Sequence, residues 1–141
     1  MNNNDKVTSE EELPPFDLPS TTGGRTSFIL KEKIADMIKY GKPITAQFPK
    51  RERQTANEIR ASMLTMYRLA VVIEKKYYKK TTLQELDIEL DVLRHFVRLA
   101  QDKDYYGPNI VPPLSFKKYM VWSMKLDEIG RIIGGYMKSV K

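Results

Sequence analysis

Side chains arranged in a pattern suited to acid–base chemistry or metal binding are few in this sequence. Asp87 and Asp91 are two carboxylates one helical turn apart, and His95, the single histidine, follows one turn later. Paired carboxylates can act as a general acid and base, and Glu-x-x-His pairs bind metal in di-metal bundles. The residue three before His95 is Val92, however. Since Asp91 is also within reach of Arg94 and His95, we interpret these groups as surface ion pairs.

Other signatures of catalysis are missing from the 141 residues. The sequence contains no cysteine, so a disulfide framework and a thiolate metal site are both excluded. Glycine-rich phosphate loops, Walker sequences and serine elbow motifs do not occur. We therefore predict that the protein is not an enzyme and that it needs no metal or cofactor.

Basic residues are better organised than acidic ones. At 100° per residue, a strip of basic residues falls within an arc of about 80° on one predicted helix. Glu52, Glu58 and Glu74 have no basic residue three or four positions away on that helix, so local ion pairs do not neutralise the strip. The strip either binds phosphates or an acidic partner, or is a solvated helix face. This basic strip consists of Arg53, Arg60, Arg68 and Lys75, extended at its ends by Lys50, Arg51, Lys76, Lys79 and Lys80, with Tyr67, Tyr77 and Tyr78 nearby.

The net charge of +6 conceals an asymmetry between two parts of the chain. Residues 1–26 carry five acidic and two basic residues, a net charge of −3, whereas residues 27–141 carry 22 basic and 13 acidic residues, a net charge of +9. A folded domain with this charge attracts polyanions, which makes RNA or DNA the first partner to consider. A lysine-rich surface that serves solubility alone is the other explanation.

Four segments that show helical periodicity carry these residues. In each segment apolar residues recur at steps of three and four, which places them on one stripe that must be buried. Short connections between such helices favour antiparallel packing. We therefore predict an all-α, up-down-up-down four-helix bundle formed by residues 27–141. Its helices span residues 27–40 or, through a kink at Pro43, residues 27–47; residues 50–78; a segment from Thr81 or Thr82 to before Tyr105; and residues 116–140.

Three helix starts carry capping signals. Ser27 and Ser115 precede the first and fourth helices and can accept a hydrogen bond from a backbone N–H of the first turn. Thr82 and Glu85 have the spacing of a capping box at the start of the third helix.

The segment before the bundle has a different composition. Residues 1–26 combine Asn, acidic, Pro, Thr and Gly residues with few apolar ones, so we predict a disordered tail. Its apolar stretch, Leu13-Pro-Pro-Phe-Asp-Leu18, is either a docking peptide or a plain linker. An acidic tail on a basic body could also compete with nucleic acid.

The sequence contains no uninterrupted apolar run of about 18 residues and no signal-peptide pattern at its start. We expect a soluble, cytoplasmic protein that does not bind membranes.

The fourth helix carries more small and apolar residues than one buried stripe requires. Gly130, Gly134 and Gly135 each reduce helix propensity by about 1 kcal/mol relative to alanine, which suggests close approach of another helix. A second apolar set lies away from the main seam and forms either a subunit interface or a second side of the core. Its members are Phe116, Met120, Met124, Ile132 and Met137.

Three stretches resemble a known family. Leu93-Arg-His-Phe-Val-Arg-Leu99 and Asp127-Glu-Ile-Gly-Arg-Ile-Ile-Gly-Gly-Tyr136 are similar to the third and fourth helices of Avd, the accessory variability protein of diversity-generating retroelements. Lys42-Pro-Ile-Thr-Ala-Gln-Phe-Pro-Lys-Arg51 resembles the family's proline-containing end of helix one and the turn into helix two. The similarity covers about residues 28–140.

This resemblance implies a four-helix protomer in a barrel-like homopentamer with a basic surface. It also implies binding to the retroelement's reverse transcriptase and to RNA or DNA, in support of mutagenic copying and retrohoming. Arg94 and Arg98 resemble the arginine pair associated with those partners, and Arg131 resembles a helix-four arginine with a structural role. Helix packing and assembly are expected to involve Gly130, Gly134, Trp122, Ile133, Tyr136 and Arg131.

Two other readings of the sequence stay open. The related four-helix proteins encoded in intervening sequences of bacterial large-subunit ribosomal RNA genes share the architecture. A structural oligomer with no nucleic-acid role is the second alternative.

Overall fold

The computed structural model describes residues 22–140, and within this range it contains helices and no strand. The all-α prediction is therefore confirmed for this part of the chain. The elements are α1 (Thr22–Ala46), a 3-10 turn (Lys50–Glu52), α2 (Arg53–Lys75), α3 (Lys80–Ala100), the single-turn helix α4 (Lys103–Tyr106) and α5 (Phe116–Ser139).

Successive long helices run antiparallel. Near the start of α1, Lys31 Nζ lies 2.8 Å from Glu74 Oε1 at the end of α2. Near the other end of the same pair, Arg60 Nε donates a hydrogen bond to Thr45 Oγ1 at 3.1 Å. The long helices form a ring in which α1 and α3 each pack against both α2 and α5. This arrangement is the predicted up-down-up-down bundle.

The predicted apolar seams meet in one core. Trp122 and Tyr136 are the largest fully buried side chains, and the Tyr40 ring packs edge-on against Trp122 with centroids 6.1 Å apart. Each fully buried Leu, Ile or Met side chain contributes about 1.5–3 kcal/mol relative to an exposed one. Other core residues include Leu30, Ile34, Met37, Ile59, Met63, Met66, Ile73, Leu83, Leu86, Leu90, Leu93, Val97, Leu126, Ile129 and Ile133.

The start of α1 differs from the prediction. The helix begins at Thr22, so Ser27 lies inside it, is buried, and donates a hydrogen bond from Oγ to the Gly24 carbonyl at 3.0 Å. The predicted cap at Ser27 is wrong, because the hydroxyl is used within the helix and against Tyr136 of α5. Burial raises the pKa of Tyr136, and its hydrogen bond with Ser27 partly opposes this effect.

Residues 22–26, which the sequence assigned to the tail, belong to α1. Residues 1–21, including the apolar stretch of residues 13–18, lie outside the described residues. Disorder of that segment stays a prediction.

Helix α1 continues through Pro43 to Ala46, which confirms the predicted continuation past Tyr40, one residue short of the predicted end at Gln47. Proline removes one backbone hydrogen bond from a helix interior. Burial of the following residues, Ile44 and Thr45, supports this turn. Gly41 lies beneath the Trp122 ring and beside Met63 Sδ, so any side chain there would collide with both.

The second helix ends earlier than predicted, and the third helix begins one or two residues before its predicted start. Helix α2 stops at Lys75, and α3 begins at Lys80 without a side-chain cap. Thr82 is buried, and its Oγ1 accepts a hydrogen bond from Lys76 Nζ at 2.9 Å. The predicted capping box with Glu85 is wrong, because the Thr82 hydroxyl joins the two helices instead.

The long connection before α5 contains structure of its own. Asp102 Oδ1 caps α4 by accepting from the backbone N–H of Asp104 at 2.9 Å, and Gly107 ends it with a φ of 87°, a conformation that favours glycine. The cap predicted at Ser115 is confirmed, because its Oγ accepts from the Lys118 N–H at 3.2 Å. Among the described residues, no helix is both long and apolar enough to cross a bilayer.

Candidate functional site

Arg94 and Arg98, one turn apart on α3, open into the same groove between α3 and α5. The groove has a volume of about 280 Å³. Polar and charged side chains from both helices form its walls, as expected for a site that binds a charged group. Its lining residues are Asp91, Arg94, His95, Arg98, Tyr119, Ser123 and Asp127.

Arg94 is positioned by α5. Its Nη2 lies 3.3 Å from Asp127 Oδ1. A Cβ built on Gly130 would lie 2.7 Å from Arg94 Nη2 and 3.4 Å from Leu90 Cδ2. The absence of a side chain at Gly130 therefore leaves room for the guanidinium. Close approach at this glycine was predicted, although the approaching group is a side chain and not a helix backbone.

The charges in the groove are unevenly compensated. Asp127 pairs with Arg94, and Asp91 Oδ2 lies 3.7 Å from His95 Nδ1. Arg98 is exposed and forms no ion pair with a described carboxylate. The contact predicted between Asp91 and His95 is present. Arg94 pairs with Asp127 of α5 and not with Asp91. Among residues 22–140, no group of three or more His, Cys, Asp or Glu side chains could hold a metal ion.

The basic strip lies on a different side of the bundle. Arg53, Arg68 and Lys75 are exposed on α2 and form no ion pair with a described carboxylate. Arg60 is half-buried, because its Nε contacts Thr45 of α1 and its Nη1 contacts Asn57 Oδ1 at 3.2 Å. Arg60 therefore joins α1 to α2 and contributes less to the exposed charge than predicted.

Acidic residues beside the strip have partners from elsewhere in the fold. Glu74 pairs with Lys31, and this hydrogen bond raises the pKa of Lys31. Glu52 accepts a hydrogen bond from the Tyr106 hydroxyl at 3.0 Å and lies 3.7 Å from Arg51 Nε. Lys50, at the start of the same turn, is exposed.

The strip and the arginine pair are not brought together. The strip faces outward near the α1–α2 seam, whereas Arg94 and Arg98 lie at the α3–α5 seam, on the opposite side of the ring. The basic strip and the groove, which holds both arginines and carboxylates, are therefore separate surfaces.

The residues predicted for packing and assembly divide into two groups. Trp122, Ile133 and Tyr136 are buried in the protomer's own core. Arg131 and Gly134 lie on the exposed face of α5, and a Cβ at Gly134 or Gly135 would meet no described atom within 4 Å. The close approach predicted at these two glycines is therefore absent within the described chain.

The second apolar set of α5 is also divided. Ile132 and Met137 pack against the core, whereas Met120 is 50% exposed and Met124 is 69% exposed. Phe116 is exposed at the start of the same helix. The second-side-of-the-core alternative is confirmed for Ile132 and Met137, whereas a subunit interface at the exposed members stays a prediction.

Sequence reasoning missed Asp127, Ser123 and Tyr119 as groove residues, because nothing near them in the chain indicates a partner on α3. It also missed Gly41, although a glycine inside a helical pattern is a signal for close packing.

Fold and groove define a small, basic, four-helix bundle whose polar clefts are suited to binding charged groups. The model of the bAvd-like family matches residues 28–140. Because this match covers most of the chain, the protein belongs to the bAvd-like family, of the accessory variability type. A comparison with the curated proteins gave no match.

Proposed function

We propose that this protein is a non-catalytic accessory protein of a diversity-generating retroelement. In this role it binds the element's reverse transcriptase together with RNA or DNA and supports mutagenic reverse transcription and retrohoming. The reverse transcriptase performs the chemistry. The family match over residues 28–140 supports the accessory role.

The observation that carries the proposed partner site is the joint opening of Arg94 and Arg98 into one groove. A guanidinium group is permanently charged and presents a planar fork of donors to a carboxylate or phosphate. Arg98 has no described carboxylate to satisfy it, and Asp127 holds Arg94 beside it. We assign this groove to an acidic surface of the reverse transcriptase or to a nucleic-acid phosphate.

Assembly as a homopentamer is part of the proposal. Met120, Met124 and Phe116 place exposed apolar side chains along one face of α5. Soluble proteins rarely expose contiguous apolar patches without an interaction partner. This face is the surface on which we expect protomers to meet.

The test is co-expression of the protein with the reverse transcriptase of its retroelement, followed by co-purification. Arg94→Ala combined with Arg98→Ala should weaken the complex and leave the oligomer's mass unchanged. Lys39→Ala with Lys42→Ala removes the same charge from exposed positions on α1 and is the matched control. Unchanged recovery of the reverse transcriptase would remove this groove from the proposal, and loss of the oligomer would assign the arginines to subunit packing.

A further inference from the structure

The turn between α2 and α3 exposes two aromatic rings. Tyr77 is 86% exposed and Tyr78 is 74% exposed. Their ring centroids are 4.7 Å apart and their planes meet at 88°, so the edge of one ring points at a face of the other. This geometry covers one ring face and leaves the others open to solvent. We call residues 75–80 the tyrosine turn.

Two lysines hold the tyrosine turn in place from its inner side. Lys79 Nζ donates hydrogen bonds to the carbonyls of Ile73 at 2.5 Å and Lys76 at 2.6 Å, which satisfies carbonyls at the end of α2. Lys76 Nζ reaches across to Thr82 Oγ1 at the start of α3. The hydrogen bonds that fix this backbone therefore come from lysine side chains and not from the tyrosine hydroxyls.

The tyrosine turn carries four lysines, and one carboxylate, Glu74, lies close enough to act on Lys79. Lys75, Lys76, Lys79 and Lys80 form no ion pair with a described carboxylate. The adjacent acidic residue, Glu74, is occupied by Lys31 of α1. Lys76 and Lys79 are turned to Thr82 and to backbone carbonyls, whereas Lys75 and Lys80 are exposed and have no described partner. Exposed ammonium groups next to open rings attract a polyanion that also has planar, apolar faces.

The same end of the bundle carries a third exposed ring. The ion pair between Lys31 and Glu74 places the first turns of α1 beside the last turn of α2. Phe28 is exposed there, with Lys31 Nζ 5.8 Å from its ring centroid. Aromatic rings alternating with cations extend the surface beyond the turn itself.

We propose that the tyrosine turn binds single-stranded nucleic acid, with unpaired bases stacked on Tyr77 and Tyr78 and phosphates beside Lys75 and Lys80. A duplex hides its base faces in the helical stack, whereas unpaired bases stack readily on exposed aromatic side chains. RNA and DNA single strands share this chemistry. The inference builds on the nucleic-acid part of the proposed function and assigns it to a surface distinct from the groove of Arg94 and Arg98.

The experiment measures fluorescence anisotropy of the full chain with three labelled probes: a 12-nucleotide oligouridine RNA, the matching oligothymidine DNA, and a 12-base-pair duplex. Tyr77→Ala with Tyr78→Ala should weaken binding of a single strand about tenfold and leave its salt dependence unchanged. Tyr77→Phe with Tyr78→Phe preserves the rings and should bind as the unchanged protein does. Duplex binding should not change in either variant. Whichever single strand binds more tightly identifies RNA or DNA as the ligand.

Tyr105→Ala is the matched control for ring removal. Tyr105 is exposed and forms a similar edge-to-face pair with Tyr106, with centroids 4.9 Å apart, but it lies in the α3–α5 connection at the other end of the bundle. We expect no loss of single-strand binding. Lys75→Ala with Lys80→Ala should reduce the slope of log K against log[salt] by roughly 1.4, the value for two phosphate contacts on a single strand.

Unchanged single-strand binding by the double alanine variant would overturn the inference, and so would an equal loss in the double phenylalanine variant, because stacking needs the rings and not the hydroxyls. If Tyr77→Ala with Tyr78→Ala keeps its affinity for RNA but no longer co-purifies with the reverse transcriptase, the turn is a protein contact and the inference is overturned. Binding lost only with Arg94 and Arg98 would leave the proposed function standing and remove the turn from it. If the unchanged protein binds none of the probes, the nucleic-acid part of the proposed function fails as well.

Discussion

The guanidinium group of Arg94 occupies the space that a side chain at position 130 would need, since a Cβ on Gly130 would lie 2.7 Å from Arg94 Nη2. A glycine on α5 thus permits the position of an arginine on α3. The relationship links Gly130 of α5 to the groove of Arg94 and Arg98, two features that the sequence treated as separate.

Gly130→Ala should displace Arg94 from Asp127 without unfolding the protein. Arg94 can move because the group in conflict is the end of a flexible side chain, and alanine raises helix propensity by about 1 kcal/mol. We expect weaker recovery of the reverse transcriptase with an unchanged or higher Tm. Gly134→Ala, which meets no described atom within 4 Å, is the control. A Tm that falls in Gly130→Ala would show that the groove is rigid.

Gly41→Ala should destabilise the protein, in contrast to Gly134→Ala. The new methyl group would collide with the Trp122 ring, which is buried and cannot move aside. Overpacking of this kind costs about 1–3 kcal/mol, more than the helix propensity gained. Urea denaturation of both variants measures the difference. Equal stabilisation by the two substitutions would contradict the packing described for Trp122.

Met120→Glu with Met124→Glu should dissociate the oligomer while leaving the protomer folded. Both side chains are at least half exposed in the protomer, so two carboxylates there disturb only a surface between protomers. Light scattering gives the mass, and circular dichroism checks the helices. Leu64→Glu with Ile88→Glu, two exposed apolar residues on α2 and α3, is the control. An unchanged mass would exclude this face of α5 as the interface.

Arg53→Ala with Arg68→Ala tests the basic strip. If both residues contact phosphates of a single strand, the slope of log K against log[salt] should fall by roughly 1.4. Arg60→Ala should act differently, because Arg60 is hydrogen-bonded to Thr45 and its loss lowers stability as well as charge. An unchanged slope in the double variant would assign the strip to solvent.

Stability should fall as the pH rises above 10. Burial, together with the hydrogen bond to Glu52, raises the pKa of Tyr106 above its ordinary value of 10.0. Above that pH the unfolded chain releases the phenolic proton and the folded chain keeps it, so unfolding becomes more favourable. Tyr106→Phe removes this difference and should give a shallower decline in the free energy of unfolding. Tyr105→Phe is the control, and an identical decline in Tyr106→Phe would contradict the assignment.

Periodicity predicted the four long helices and their buried seams, because positions three and four residues apart share a face whatever the fold. It did not predict the single-turn helix α4. The Ser115 cap was also predictable, since donor and acceptor are three residues apart. The roles of Ser27 and Thr82 were not, because each hydroxyl contacts a residue that only the packed bundle brings near. The same holds for the ion pair between Arg94 and Asp127, whose partners lie on different helices.

The contact between Tyr40 and Trp122 has a consequence for the entropy of the chain. The contacts between α1 and α2, between α2 and α3, and between α3 and α5 each pack two long helices that are consecutive in the chain. Forming any of these contacts therefore encloses only a short loop. The α1–α5 seam alone joins the first and last long helices, and it carries the Tyr40–Trp122 contact and the close fit of Gly41 beneath Trp122. Loop-closure entropy grows with the length of chain enclosed, so this seam closes the most costly loop of the bundle. Tight packing at Gly41 and Trp122 offsets that cost at the point where the ring of helices is completed.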